Sequence, residues 1–161
     1  MPNSTSSHPD FATVTDELPG FLFVDHIAIA VPPGTLDAQV SAYGLLGFKE
    51  IHREEIGGGD HVREALLRIG ESPNLIQLIE PMSAESPVQK AMDRNGGKGG
   101  LNHVGLRVRD IQAAFDHMRD RGFRILDDAP RPGSRGTTVF FIHPKALPDT
   151  PFDVLIEVVA E

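Results

Sequence analysis

Val24-Asp25-His26-Ile27-Ala28-Ile29-Ala30-Val31 decides the reading of this chain, because the pattern occurs twice. The second copy is Leu101-Asn102-His103-Val104-Gly105-Leu106-Arg107-Val108. Both alternate with the period of two that marks a strand with one apolar face. Ile27, Ile29 and Val31 fall on one side, and His26, Ala28 and Ala30 on the other. In the second copy Val104, Leu106 and Val108 oppose His103, Gly105 and Arg107. Small residues beside a histidine leave room above the sheet, so each strand is expected to line a cavity. A lone histidine in a strand is usually structural. Two in register across a repeat are candidate ligands.

Working outward, the same order of elements follows each copy. After the first, Pro32-Pro33-Gly34 turns, and Thr35 is placed to cap a helix with Leu36, Val40 and Tyr43 on its apolar stripe. Strands are expected at 48–53, 62–69 and 75–80, with Ile56-Gly57-Gly58-Gly59-Asp60 as a turn or flexible loop. Ser86-Pro87 opens a short helix, and Asn95-Gly96-Gly97-Lys98-Gly99-Gly100 ends it. After the second copy, Asp110 caps a helix carrying Ile111, Ala114, Phe115 and Met118. Strands are then expected at 123–126, 137–143 and 153–159, with loops at 130–136 and 148–151. A period near 77 residues, from His26 to His103, is a duplication of one βαβββ unit. The expected fold is α+β: two tandem βαβββ modules forming a curved sheet around a metal site. Residues 1–20 read as a flexible tail, 21–82 as the first module, 83–100 as a linker helix and Gly-rich loop, and 101–161 as the second module. His8, in the tail, is read as a surface residue.

The composition narrows the function. The 161 residues suit one compact domain or two half-domains with a shared core. No cysteine is present, which excludes a disulfide framework and any thiolate metal site and is compatible with the cytoplasm. A net charge of -8 disfavours general nucleic-acid binding. No apolar run is long enough to span a membrane. The tail has neither the basic and apolar regions of a secretory signal nor the arginines of a transit peptide.

The repeat also aligns Leu75-Ile76-Gln77-Leu78-Ile79 with Leu155-Ile156-Glu157-Val158-Val159. Each has one polar residue inside an apolar strand. A buried polar group without a partner costs about 1–3 kcal/mol, so each requires a role. If both units fold alike, His26, Gln77, His103 and Glu157 meet in one cavity. Two imidazoles, an amide oxygen and a carboxylate suit a divalent transition metal: cobalt(II), manganese(II), nickel(II), zinc(II) or iron(II). The plainer alternative is four unrelated hydrogen-bonded polar residues. Their repeat-equivalent positions weigh against it.

Paired βαβββ modules with ligands on the first and last strand of each resemble the vicinal oxygen chelate superfamily. Within it, Asp25 to Val31, His52-Arg53-Glu54-Glu55, Leu78-Ile79-Glu80-Pro81, Glu85-Ser86-Pro87-Val88, His143-Pro144-Lys145 and Leu155-Ile156-Glu157 resemble the methylmalonyl-CoA epimerase family. The resemblance covers about residues 22 to 160 and rests on the order and spacing of the motifs together. It implies that His26, Gln77, His103 and Glu157 are metal ligands, with cobalt(II) expected. It implies that Glu64, within Val62-Arg63-Glu64-Ala65-Leu66, is a catalytic carboxylate alongside Glu157. It further implies an acyl-CoA thioester substrate, a homodimer, and interconversion of (2R)- and (2S)-methylmalonyl-CoA. Inverting a carbon beside a thioester requires a base on one side, an acid on the other and a stabilised enolate, which fits two carboxylates and a Lewis acid. Taken alone, Glu64 would be an ordinary charge on a half-exposed strand.

The chain departs from the family pattern in places. Paired histidines are often found where Asn102-His103 stands, and we expect Asn102 to change only the outer face of that strand. The turn after Lys145 is longer, with Pro148, Pro151 and Phe152, and Gly57-Gly58-Gly59 is unusual before Glu64. Both loops leave ethylmalonyl-CoA or another 2-substituted malonyl thioester open as substrate. Arg131, Arg135 and Lys145 are candidates for phosphate or carboxylate contacts, although solvated loop cations are commoner. His52, His61 and His117 have no repeat partner and are read as surface or packing residues. Three further readings stand beside the epimerase. They are a glyoxalase-type isomerase or lyase, an extradiol-type dioxygenase, which Gln77 as an extra ligand disfavours, and a ligand-sequestering protein without a metal.

Overall fold

The computed structural model describes residues 17–147 and 151–161. Most of the expected tail, including His8, lies outside the described residues, as do residues 148–150 of the turn expected at 148–151. The first module contains β1 (Phe21–Ala30), α1 (Leu36–Gly44), β2 (Phe48–Ile56), β3 (Val62–Ile69) and β4 (Leu75–Pro81). Helix α2 (Pro87–Arg94) follows. The second module contains β5 (Gly100–Val108), α3 (Ile111–Asp120), β6 (Arg131–Pro132), β7 (Thr138–Ile142) and β8 (Leu155–Ala160).

One eight-stranded sheet runs in the order β2-β3-β4-β1-β5-β8-β7-β6. The first strand of each module pairs in parallel with the last strand of its own module. The two first strands pair antiparallel with each other at the centre. The sheet is thus two copies of one pattern joined across β1 and β5, the curled arrangement expected from the repeat.

The alternation places the apolar residues as expected. On the outer face of the first module, α1 covers Ala65, Leu67, Leu78 and Ile76. On that of the second, α3 packs Ala114, Phe115 and Met118 against Val108, Phe140, Ile142 and Val158. Leu18 joins this second cluster, so the described end of the tail is packed. Met92 and Val88 of α2 pack against Ala28, Ala30 and Ile79, which places the linker helix on the inner face.

Two local readings are corrected. The strand expected at 123–126 is reduced to a single bridge between Ile125 and Ile142, and β6 forms instead within the expected loop. The cause is Asp127, whose carboxylate accepts from Phe141 N at 2.7 Å and Arg131 Nε at 2.8 Å. A side chain thereby takes a β7 amide that a continuing strand would have used, and Pro130 and Pro132 bring no N–H. The second correction concerns α1. Thr35 donates to Pro32 O and does not cap the helix. Leu36 N donates instead to Glu80 Oε2 at 2.7 Å, a buried carboxylate on β4 that also accepts from Arg63. The caps from Ser86 and Asp110 form as read.

Candidate active site

The register brings the predicted ligands together. His26 on β1 lies opposite Gly105 on β5, whose other neighbour is Glu157 on β8. By the same rule His103 on β5 lies opposite Ala28, whose other neighbour is Gln77 on β4. His26 Nε2 is 3.1 Å from His103 Nε2 and 3.1 Å from Glu157 Oε2, and His103 Nε2 is 2.8 Å from the same oxygen. All three side chains are buried.

Two β-bulges orient the imidazoles. The β1–β5 register slips between Val24 and His26, and again between Ala28 and Ile29. The extra residues are Asp25 on β1 and Asn102 on β5, each directly before a histidine. A bulge re-aims a side chain that regular pleating would send to the far face. Asp25 Oδ2 accepts from His26 Nδ1, and Asn102 Oδ1 from His103 Nδ1, each at 2.8 Å. Asn102 therefore supports the site and is not confined to the outer face, contrary to expectation. With both Nδ1 atoms directed outward, the two Nε2 atoms converge on one carboxylate oxygen, with room between them for a proton or a metal ion. Such an arrangement calls for a cation at the point where they meet.

The electrostatics agree. Burial opposes a charge on His26, but Asp25 and Glu157 outweigh it and raise its pKa to about 9. Burial also opposes a charge on Glu157, but the hydrogen bonds from His103 and His26 outweigh it and hold the pKa down to about 2. Donors at adjacent corners of a six-coordinate ion with bonds of about 2.1 Å stand about 3.0 Å apart, close to the observed separations. Gln77 supports the same reading. Its Nε2 donates to Glu64 Oε2 at 2.7 Å, while its Oε1 is buried without a hydrogen-bond partner. The three converging donors fit a divalent metal, and Gln77 adds a buried acceptor with no partner among the described residues.

Glu64 is only 2% exposed and so is no half-exposed surface charge. Burial pushes its carboxyl above the usual range, reinforced by Glu54 and Glu157 and opposed by the Ser134 hydroxyl and His26. Its Oε1 has no hydrogen-bond partner. Glu64, Gln77, His103 and Glu157 line one cavity of about 490 Å³, bounded by α2 and by the segment from Leu126 to Ser134. His26 sits behind it.

Several contacts around the site differ from the expectation or had none. Arg107 donates to Asp25 Oδ1 through Nε and Nη2, and Arg135 to Oδ2 through Nη2. Arg135 thus turns inward, whereas Arg131 lines the cavity between Asp127, Asp60 and the Phe141 ring. His52 stands 3.3 Å from Glu54, and both approach Glu64. The repeated pairs Asp25-His26 and Asn102-His103 were the available signal for the supporting residues. Nothing local marked Arg107 or His52.

A family model described as glyoxalase/bleomycin resistance protein/dioxygenase superfamily matches residues 25–141. An ethylmalonyl-CoA/methylmalonyl-CoA epimerase of Cereibacter sphaeroides is 32% identical over 76% of this chain and 88% of its own length. The crystal structure of methylmalonyl-CoA epimerase from Mycobacterium tuberculosis is 34% identical, covers 85% of this chain and 86% of that one, and gives a TM-score of 0.75. The chain belongs to the methylmalonyl-CoA epimerase family of that superfamily. A further structure of a methylmalonyl-CoA epimerase, in complex with methylmalonyl-CoA and NH4+, is 36% identical over 88% of this chain and 95% of that one, with a TM-score of 0.76. The curled sheet is the fold of this epimerase family, and its tandem modules supply both halves of the site described above.

Proposed function

We propose that this chain is a metal-dependent epimerase interconverting (2R)- and (2S)-methylmalonyl-CoA, with Glu64 and Glu157 exchanging the proton at C2. One observation carries the reading. Two buried carboxylates from opposite modules, one held ionised and the other pushed toward protonation, line one cavity, and His26 and His103 converge on the ionised one. Relatives at about one-third identity that bear this name support the substrate class.

A divalent ion held by His26, Gln77, His103 and Glu157 supplies a Lewis acid for the thioester oxygen. Cobalt(II) is the metal we expect, with manganese(II), nickel(II) or zinc(II) as alternatives, since no sulfur donor selects a softer ion. Gln77 pins Glu64 by Oε2, so the unpartnered Oε1 is the oxygen that reaches C2. Both histidines engage Oε2 of Glu157, so the proton falls to its Oε1. In one direction Glu157 removes the C2 proton and Glu64 delivers its own to the opposite face; in the other the roles reverse. The dual name of the Cereibacter relative favours ethylmalonyl-CoA as a second substrate. We place the protein in the cytoplasm as a homodimer. Among the described residues no helix is long and apolar enough to cross a membrane. Leu45, Leu46, Ile51 and Ile69 are exposed, which supports a partner surface.

The test is incubation of the metal-loaded protein with each enantiomer in deuterium oxide. Deuterium should enter C2 as the configuration inverts. No exchange from either enantiomer, with turnover of a hemithioacetal, would replace this reading by a glyoxalase-type one.

A further inference from the structure

We infer that Arg135 is a positioning residue that sets how strongly His26 would donate to a bound metal ion, acting through Asp25. The inference rests on the metal reading above.

The geometry is specific. Asp25 is buried, and its two oxygens are used differently. Oδ1 belongs to Arg107, at 3.0 and 2.7 Å. Oδ2 is shared, accepting from His26 Nδ1 at 2.8 Å and from Arg135 Nη2 at 2.7 Å. A carboxylate oxygen that also binds a guanidinium gives less electron density to the imidazole. Arg135 therefore restrains a pull that Asp25 would otherwise exert on His26. Its repeat-equivalent histidine has no such control, since His103 is backed by the neutral amide of Asn102.

The turn that carries Arg135 is built to hold it there. Arg135 has φ 58° and ψ 25°, a left-handed conformation that residues other than glycine seldom adopt. Its own N–H donates to Glu54 Oε1 at 3.0 Å. Ser134, just before it, lines the same cavity as Glu64. Glu54 lies on β2 at one end of the sheet, whereas this turn lies between β6 and β7 at the other. The turn thus spans the inside of the curl, reaching Glu54 through the Arg135 N–H and the His26 side through the Arg135 guanidinium.

Arg135→Met retains length and removes the donor. With Oδ2 left to His26 alone and a positive charge removed, metal should bind more tightly. Second-shell changes shift metal affinity by about 10- to 100-fold. Zinc(II), measured by competition with a chromophoric chelator, should bind about tenfold more tightly. In the zinc-loaded protein the His26 Nδ1–H proton resonance should move downfield. In an Asp25→Asn background the tightening should be several-fold smaller. Equal tightening in both backgrounds would show that Arg135 acts only as a distant charge, and an unmoved resonance would overturn the inference. If Arg135→Met does not fold, Arg135→Lys should shift the same resonance in the same direction by less, and no shift would again overturn it. If zinc(II) does not bind the unsubstituted protein at one equivalent, the metal reading falls and this inference with it. If it binds but Arg135→Met is without effect, only this inference falls.

Discussion

Gly105 lies directly against the ring of His26. A Cβ at position 105 would stand 2.3 Å from Cε1 and 2.5 Å from Nδ1 of the imidazole. The backbone of Gly105 needs no left-handed φ, so the requirement is purely one of space. Gly105→Ala must displace His26 or part β1 from β5. Overpacking of this kind costs about 1–3 kcal/mol. Chemical denaturation should show a loss of that size, and metal stoichiometry should fall with it.

His103→Ala tests the donor set at a residue that supplies no proton. Metal content, measured by elemental analysis, should fall from about one ion per chain to near zero. The strand signal in circular dichroism should persist, because His103 is a small part of the sheet's packing. Unchanged stoichiometry would remove His103 from the site.

Glu64→Gln keeps the shape and hydrogen-bonding capacity of the side chain and leaves the four ligands in place. General acid–base groups contribute about 10²–10⁴-fold, so epimerisation should fall by that factor. Exchange of solvent deuterium should survive from one enantiomer only, the one whose proton Glu157 reaches. The pH profile carries a second signature. Burial raises the Glu64 carboxyl, so in the direction where Glu64 is the base, activity is lost as pH falls through a value above the ordinary glutamate value of about 4.3. That acid limb should be absent from the residual activity of the variant.

Glu80 governs acid stability away from the site. Burial opposes its charge, but Arg63 and the Leu36 amide outweigh it and hold the carboxyl below the usual range. A carboxylate with a lowered folded pKa contributes stability that is present above its unfolded value and lost as pH falls through the folded one. Glu80→Gln should reduce stability at neutral pH by about 1.5–3 kcal/mol, the range for hydrogen bonds to charged groups. Acid titration monitored by circular dichroism should show that the difference from the unsubstituted protein shrinks below pH ~4.

The duplication, the curled sheet and the converging donors were legible because each depends on strand alternation, which a sequence displays. His26 and His103 share a phase with Ala28 and Gly105, and Gln77 and Glu157 interrupt apolar strands at matching positions. What stayed hidden depends on departures from regularity. A bulge changes which face a residue serves without altering composition, so Asp25 and Asn102 read as facing away from the histidines they support. The short β6 follows from the Asp127 side chain taking a β7 amide, an event with no periodic signature. Arg135 read as a candidate for a phosphate or ligand carboxylate, and not as a partner of Asp25, because Asp25 lies 110 positions away. The cap on α1 was missed for a similar reason: Glu80 comes from another strand, 44 positions on.

The two modules are copies, but their contributions to the centre are not. In the proposed metal centre the first would supply a histidine and an amide, the second a histidine and a carboxylate, from equivalent points of one register. A centre made from two first modules would carry no formal charge, and one made from two second modules would carry two negative charges. The mixed pair carries one, so a bound dication keeps a net positive charge with which to draw electrons from an acyl oxygen. In that proposal the difference between Gln77 and Glu157 sets the polarity of the centre, while the backbone register of the two modules stays equivalent.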